Sequence, residues 1–249
     1  PRVGKWQTFF FFFCRRMNRR VAMFPGIGGE RGSLLEDILE RFEDAQERLS
    51  GQIDGGSAML RSMACHDATV DLSRQWTLHA ANLLWWSHQE RHDFQAVCGH
   101  SMGFYAALVA AGCLSEADSF RAIRLIHDAT LPLVGTLPPI HAVQVGFGTS
   151  PTLFAWEAVE IVAYNAPDQF VVAAEREVLS ELAKRHPGTI VKQVELGLRV
   201  PMHSRALRHV AKDLAKAFAE IEIRRPAIPV WSHTEVRTLA TPEQLRLEM

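Results

Sequence analysis

One serine framed by glycines has the setting of a catalytic nucleophile. Ser101 lies in the pentapeptide G-H-S-M-G, between the apolar run FQAVC and the alanine-rich run FYAALVAAG. A G-x-S-x-G pentapeptide between a strand and a helix is typical of a nucleophile elbow, in which glycines let the two elements approach closely. The pattern predicts that the Ser101 hydroxyl lies at the carboxyl edge of a sheet. It also predicts that the backbone N–H of Met102 points at a developing oxyanion.

A serine hydroxyl needs a base before it can attack a carbonyl carbon. The chain has 11 histidines, so abundance alone selects none of them. His100 adjoins Ser101, but adjacent side chains diverge, and we expect it to pack beside the site. His203, in VPMHS, stands at a loop-to-helix junction and is the candidate base. His233 has no motif around it, and we expect an ordinary structural role.

The segments around Ser101 alternate between strand and helix patterns. RRVAMFPGIGG predicts a buried strand ending in a glycine-rich turn, and DFQAVCG predicts the strand that enters the elbow. Helices are predicted at SLLEDILERFEDAQERL, LSRQWTLHAANLLWWSHQE and SEADSFRAIRLIHDATL. Apolar strands that alternate with helices indicate a parallel sheet covered on both faces.

The pattern changes after Pro132. Four strand-like runs and one helix follow, in the order IHAVQVGFG, VEIVAYN, QFVVAAE, EREVLSELAKR and IVKQVEL, and the turn NAPDQ predicts a hairpin. We therefore predict a small antiparallel α+β subdomain at 133–199, inserted into a large subdomain of 17–132 and 200–249. The large subdomain resumes with the helix SRALRHVAKDLAKAFAEI and a last strand, IPVWSH.

Composition limits the class of protein. The chain has 249 residues, is 47% hydrophobic and 22% charged, and carries a formal net charge of -1. This balance argues against nucleic acid as a partner, because a phosphate-binding surface needs a basic excess. The four cysteines show no metal-ligand or C-x-x-C spacing, which favours reduced thiols, no bound metal and a cytoplasmic location. The phenylalanine run within residues 1–16 is too short to span a membrane, and we interpret this segment as an extension before the domain.

Four motifs, in order, resemble the malonyl-CoA:acyl-carrier-protein transacylase family, which includes the acyltransferase domains of polyketide synthases. MFPGIGGE is similar to the family's F-P-G-Q-G turn, and GHSMGFYAALVAAG to its serine elbow. VEIVAYNAPDQFVVAA resembles its hairpin, and VPMHSRAL its histidine segment. The resemblance extends roughly from Arg20 to Met249.

The resemblance implies an α/β-hydrolase-like large subdomain with a ferredoxin-like insert. It implies that Ser101 takes an acyl group from acyl-CoA, that His203 accepts the serine proton, and that the phosphopantetheine thiol of an acyl carrier protein then collects the acyl group. The oxyanion donors would be the backbone N–H groups of Met102 and Ile27, and Asn165 would shape the site. No cofactor and no membrane partner are implied.

Three departures concern the substrate pocket. Ile27 replaces the family's usual glutamine, and Phe104 replaces a glutamate. Members that accept malonyl units carry an arginine where this chain has Ile126 and His127, and neither side chain offers the bidentate guanidinium fork. We therefore expect poor malonyl selectivity. The residues predicted to line the pocket are Phe104, Ile126, His127, Asn165 and His100. The family's last helices are missing after Met249, so we expect a truncated C-terminus.

Two alternatives to the acyltransferase remain open. A hydrolase on the same scaffold would release the acyl group to water, as proofreading enzymes of polyketide pathways do. An inactive domain kept for carrier-protein docking would have lost the reaction altogether. The absent arginine fits both enzymes, whereas retention of Ser101 and His203 argues against the inactive domain.

Overall fold

The computed structural model describes residues 20–26, 71–157, 159–198 and 200–249. The predicted helix SLLEDILERFEDAQERL, Ile27 and the extension at 1–16 lie outside these residues. The strands within them are β1 (Arg20–Phe24), β2 (Phe94–Gly99), β3 (Ile140–Val145), β4 (Glu160–Ala166), β5 (Gln169–Ala173), β6 (Ile190–Glu195), β7 (Val230–Trp231) and β8 (Thr238–Leu239). The helices are α1 (Asp71–Ser87), α2 (Gly103–Ala110), α3 (Glu116–Thr130), α4 (Thr152–Trp156), α5 (Arg176–Arg185), α6 (Arg208–Phe218) and α7 (Pro242–Glu248).

The described chain separates into two compact units. One lies within Pro1–Ile126 and Ala215–Met249, and the other is His127–Leu214. The second unit extends beyond the predicted insert at both ends. Val200, Leu207 and Val210 form a buried apolar cluster against which Leu133 and Leu137 pack. This packing places His203 in the second unit, whereas the sequence boundaries had assigned residues 200–249 to the large subdomain.

A mainly parallel sheet supports the first unit. Its strand order is β1-β2-β7-β8, in which β1 and β7 both pair with β2 in parallel. The predicted parallel arrangement is therefore confirmed, but β8 pairs with β7 antiparallel and was not predicted. Phe24, Val97 and Val230 are fully buried. The ring of Phe24 meets the indoles of Trp85 and Trp86 edge-on, which fixes α1 against β1.

The second unit contains an antiparallel sheet with the order β4-β5-β3-β6. The succession β3, α4, β4, β5, α5, β6 with this strand order is the ferredoxin-like arrangement that the resemblance implied. The NAPDQ turn closes the predicted hairpin between β4 and β5. Apolar side chains of α4, β5 and α5 build the core of the unit, among them Phe154, Phe170, Leu179 and Leu182.

A helix that spans a membrane must be both long and apolar. None of the helices within the described residues is both long enough and apolar enough to span a bilayer.

Candidate active site

Ser101 occupies a strained turn between β2 and α2. Its φ is 52°, in the left-handed region that side chains with a Cβ avoid at a cost of about 1–2 kcal/mol. Among the described residues other than glycine, Ser101 shares a positive φ only with His203. Such conformations persist where the surrounding structure fixes them, and they concentrate at functional sites. The strand–turn–helix context predicted for the elbow is therefore confirmed, with β2 ending at Gly99 and α2 beginning at Gly103.

Steric crowding explains the two glycines of the pentapeptide. A Cβ on Gly103 would come closer than 3.0 Å to the carbonyl oxygens of Phe24 and Pro25, and a Cβ on Gly99 equally close to the backbone of Gly103. Backbone atoms cannot move aside as the end of a flexible side chain can. The G-x-S-x-G spacing thus permits α2 to start directly against the end of β1.

The turn after β1 lies beside the serine. Phe24 pairs with Gly99 across the parallel ladder, and the Phe24 carbonyl accepts the N–H of His100 at 2.9 Å. A Cβ on Gly26 would lie 3.1 Å from the Cβ of Ser101. The buried amide of Asn82 donates to the Pro25 carbonyl at 3.2 Å and so fixes this turn. Ile27, the next residue and a predicted oxyanion donor, lies outside the described residues.

Met102 precedes the first turn of α2, where backbone N–H groups have no acceptor within the helix. The carbonyls of His100 and Ser101 accept the N–H groups of Gly103 and Phe104, both at 2.9 Å, which shapes the start of the helix. The role of Met102 as an oxyanion donor remains a prediction. Its side chain is 9% exposed and contributes to the core.

His203 lies in a tight turn of the second unit. The N–H of Ser204 donates to the carbonyl of Pro201 at 3.1 Å, so His203 is the third residue of a four-residue turn. Its φ of 68° suits this position, where a type II turn requires a positive value. The side chain is exposed, whereas the following Ser204 is buried.

The residues predicted to line the substrate pocket have different environments. His100 and Asn165 are exposed, and Asn165 lies on β4. Ile126 and His127 are half-buried in the last turns of α3. Phe104 is 1% exposed, which places it in the core beneath the elbow. The pocket assignments themselves stay predictions.

His233, which the sequence does not single out, lies at the sheet edge that carries the elbow. Trp231 of β7 pairs in parallel with Cys98 of β2, so the continuation of both strands brings His233 to the same sheet edge as Ser101. The imidazole stacks on the ring of Phe104, with centroids 4.6 Å apart. The available signal was the strand pattern IPVWSH, because the carboxyl ends of neighbouring parallel strands meet at one edge.

A buried carboxylate faces His233. Glu248 Oε2 lies 3.5 Å from His233 Nε2, and the Glu248 side chain is 5% exposed. The other carboxylate oxygen, Oε1, accepts the hydroxyls of Ser232 at 2.5 Å and Thr234 at 3.0 Å. Burial lowers the pKa of His233, and the nearby His100 lowers it further. The charge and the backbone of Glu248 oppose this shift. His233 is therefore neutral near pH 7.

Comparison with known proteins identifies similar sequences. Residues 81–246 match the family model described as "Acyl transferase domain". A malonyl CoA-acyl carrier protein transacylase of Salmonella typhimurium is 24% identical over 239 residues, which cover 89% of this chain and 76% of that protein.

Solved structures show the same fold. An acyl-carrier-protein S-malonyltransferase of Burkholderia pseudomallei superposes with a TM-score of 0.75 at 23% identity, covering 90% of this chain and 77% of that one. A malonyl-transacylase solved in complex with its type II polyketide synthase acyl carrier protein gives a TM-score of 0.74 at 22% identity, covering 91% and 78%. The α/β-hydrolase-like and ferredoxin-like assignments are thereby confirmed.

Proposed function

Because this chain belongs to the acyl transferase domain family, we propose that it moves an acyl group from a CoA thioester to an acyl carrier protein through an acyl-Ser101 intermediate. The observation that carries the proposal is the left-handed Ser101, fixed between glycines that admit no Cβ. The relatives named as transacylases of malonyl CoA and acyl carrier protein support the choice of donor and acceptor.

The reaction has two halves that mirror each other. In the first, Ser101 Oγ bonds to the acyl carbon while His203 takes the hydroxyl proton. The carbon–sulfur bond then breaks, and the imidazolium returns the proton to the departing CoA thiolate. In the second half, the carrier thiol loses its proton to His203 and its sulfur bonds to the acyl carbon. The ester bond to Ser101 Oγ then breaks, and the imidazolium returns the proton to that oxygen. The backbone N–H groups of Met102 and Ile27 stabilise the negative oxygen in both halves.

The acyl group is one without a free carboxylate. Ile126 is the basis of this choice, because an aliphatic side chain cannot form the charge-assisted pair that a malonyl carboxylate requires. A buried carboxylate without a partner costs several kcal/mol relative to water. Acetyl and longer unbranched acyl groups carry no such penalty.

Intact-mass measurement of Ser101 adducts tests the proposal. The protein is incubated with acetyl-, butyryl- and malonyl-CoA, then with holo carrier protein or with buffer alone. We expect an acetyl or butyryl adduct that the carrier protein removes faster than water does. Ser101→Ala should form no adduct, whereas Ser115→Ala, which changes a serine at the start of α3, should label normally.

Three results would contradict the proposal in different ways. Rapid loss of the adduct in buffer alone would establish the hydrolase. An adduct with malonyl-CoA only would refute the argument from Ile126. Failure of every thioester to label the protein would favour the inactive docking domain.

A further inference from the structure

We propose that Glu160 is a positioning residue for His203, which it holds in the left-handed conformation by binding the two residues that follow. The inference rests on the proposed function, in which His203 takes the proton of Ser101. Glu160 lies in the hairpin segment VEIVAYNAPDQFVVAA, but the sequence gives it no role, because it is 44 residues from Ser204 and adjacent to it only in the fold.

Glu160 binds the histidine segment with both carboxylate oxygens. Its Oε2 accepts the hydroxyl of Ser204 at 2.6 Å, and its Oε1 accepts the backbone N–H of Arg205 at 2.8 Å. The guanidinium of Arg205 approaches Oε1 to 3.9 Å, which adds a weak ion pair at the exposed side. Hydrogen bonds to an ionised carboxylate are about twice as strong as neutral ones. The bonds to Ser204 and Arg205 therefore form the principal clamp on the segment.

The clamp acts where the backbone is strained. His203 has a φ of 68°, and it is followed directly by the two residues that Glu160 binds. On the other side, the N–H of Met202 donates to the carbonyl of Val200 at 2.8 Å. His203 is thus held from both sides, as a conformation of this kind requires. Release of the Glu160 side would let the peptide return to an ordinary conformation and carry the imidazole with it.

The clamp also connects the segment to a rigid element. Glu160 begins β4, where it pairs with Ala173 of the central antiparallel ladder. The Ser204 hydroxyl accepts the N–H of Ala206 at 3.1 Å while it donates to Glu160. One serine therefore caps the turn that leads into α6 and links that turn to the sheet. A site held by a strand is more precise than one held by its loop alone.

The test compares Glu160→Ala, Glu160→Gln and Ser204→Ala with the unchanged protein. We expect Glu160→Ala to lower the rate of Ser101 acylation at saturating acyl-CoA by about 100-fold, the size of loss that a misplaced catalytic group causes. The KM for acyl-CoA should change less than about twofold, because binding of the thioester does not require the base. Ser204→Ala keeps the hydrogen bond from the Arg205 N–H, and Glu160→Gln keeps one acceptor oxygen. The acylation rate should therefore fall less in these two variants than in Glu160→Ala.

Glu157→Ala is the matched control. Glu157 lies three residues before Glu160 and binds Arg185 at 2.9 Å, away from the histidine turn. We expect this variant to lose as much thermal stability as Glu160→Ala while it acylates Ser101 at the normal rate. Equal loss of acylation in both variants would reduce Glu160 to a structural residue and overturn the proposal.

A crystal structure of Glu160→Ala separates the two proposals. We expect His203 to leave the left-handed region in this variant, and a retained positive φ would overturn the clamp whatever the activity. A protein that has no acyl adduct even when unchanged would instead overturn the proposed function, together with the catalytic consequence of the clamp.

Discussion

The imidazole of His233 lies nearly parallel to the ring of Phe104, with the two planes at 19° and their centroids 4.6 Å apart. Phe104 lies in the first turn of α2, the helix that follows the nucleophile, so the stack joins the end of β7 to the base of the elbow. Burial lowers the pKa of His233, the charge of Glu248 raises it, and the charge of His100 lowers it. Removal of the Glu248 charge should therefore lower the pKa of His233, and removal of the His100 charge should raise it.

We expect Glu248→Gln to lower the pKa of His233 further. The amide retains an acceptor for Ser232 and Thr234 but no longer stabilises an imidazolium 3.5 Å away. His100→Gln should raise the same pKa, because it removes a like charge. NMR titration of the His233 ring measures both changes. Shifts in the same direction in the two variants would contradict this account.

Gly103→Ala should destabilise the protein by about 3 kcal/mol or more. Its Cβ would meet the carbonyls of Phe24 and Pro25, and overpacking against backbone is costly because nothing yields. Gly135→Ala is the control. Unlike Gly103, Gly135 has a positive φ, but nothing lies within 4 Å of its Cβ, so only about 1–2 kcal/mol of backbone strain is expected there. Equal losses of unfolding free energy in Gly103→Ala and Gly135→Ala, measured by urea titration, would refute the steric explanation.

Ser101→Gly should be more stable than Ser101→Ala by about 1 kcal/mol. Glycine relieves the strain of the φ of 52°, while alanine keeps its Cβ and therefore keeps the strain. Ser180 lies inside α5, and the order should reverse there, because glycine in a helix costs about 1 kcal/mol relative to alanine. Chemical denaturation of the four variants measures both differences. If Ser101→Ala proved more stable than Ser101→Gly, the result would contradict backbone strain at Ser101.

The fully buried His79 should make the protein less stable as the pH falls below 6.5. Burial lowers its pKa from 6.5 to about 3, and its Nε2 lies 2.7 Å from the hydroxyl of Ser119. A histidine whose pKa is depressed by folding contributes its full stability above the unfolded pKa and loses it as protons bind the unfolded chain. Between about pH 7 and about pH 5 this single group should remove about 2 kcal/mol.

His79→Gln provides the comparison for that pH dependence. Glutamine offers Ser119 a polar partner but does not titrate. Its free energy of unfolding should therefore fall less than that of the unchanged protein over the same interval, in equilibrium urea titrations. Parallel curves for the two proteins would contradict the assignment of the pH dependence to His79.

Ile126→Arg should shift acyl selectivity toward malonyl-CoA by about tenfold relative to acetyl-CoA, because the new guanidinium supplies a partner for the free carboxylate. Intact-mass rates of Ser101 labelling measure the ratio. Arg121→Gln is the control, because Arg121 is exposed on the same helix and pairs with Glu220. Its ratio should be unchanged. An unchanged malonyl-to-acetyl labelling ratio in Ile126→Arg would show that residue 126 does not line the acyl pocket.

Local patterns were sufficient for much of this molecule. The glycines around Ser101 encode the elbow, because the permitted distance between a strand and the following helix depends on residues a few positions apart. The hairpin at NAPDQ and the alternation of strands and helices are likewise readable from neighbouring residues. These features depend on short-range sterics and on hydrophobic periodicity, which the amino-acid order contains directly.

Which distant residues support those local features depends on the tertiary fold. Strand pairing brings His233 to the edge where Ser101 lies, and the sheet of the second unit brings Glu160 to the turn of His203. Leu133 packs against the buried cluster of Val200, Leu207 and Val210, and this second unit extends from His127 to Leu214, past the predicted insert. Burial alone gives His79 its low pKa. Each result depends on long-range neighbours, and a single sequence does not specify which of many polar residues will become neighbours when the sheets form.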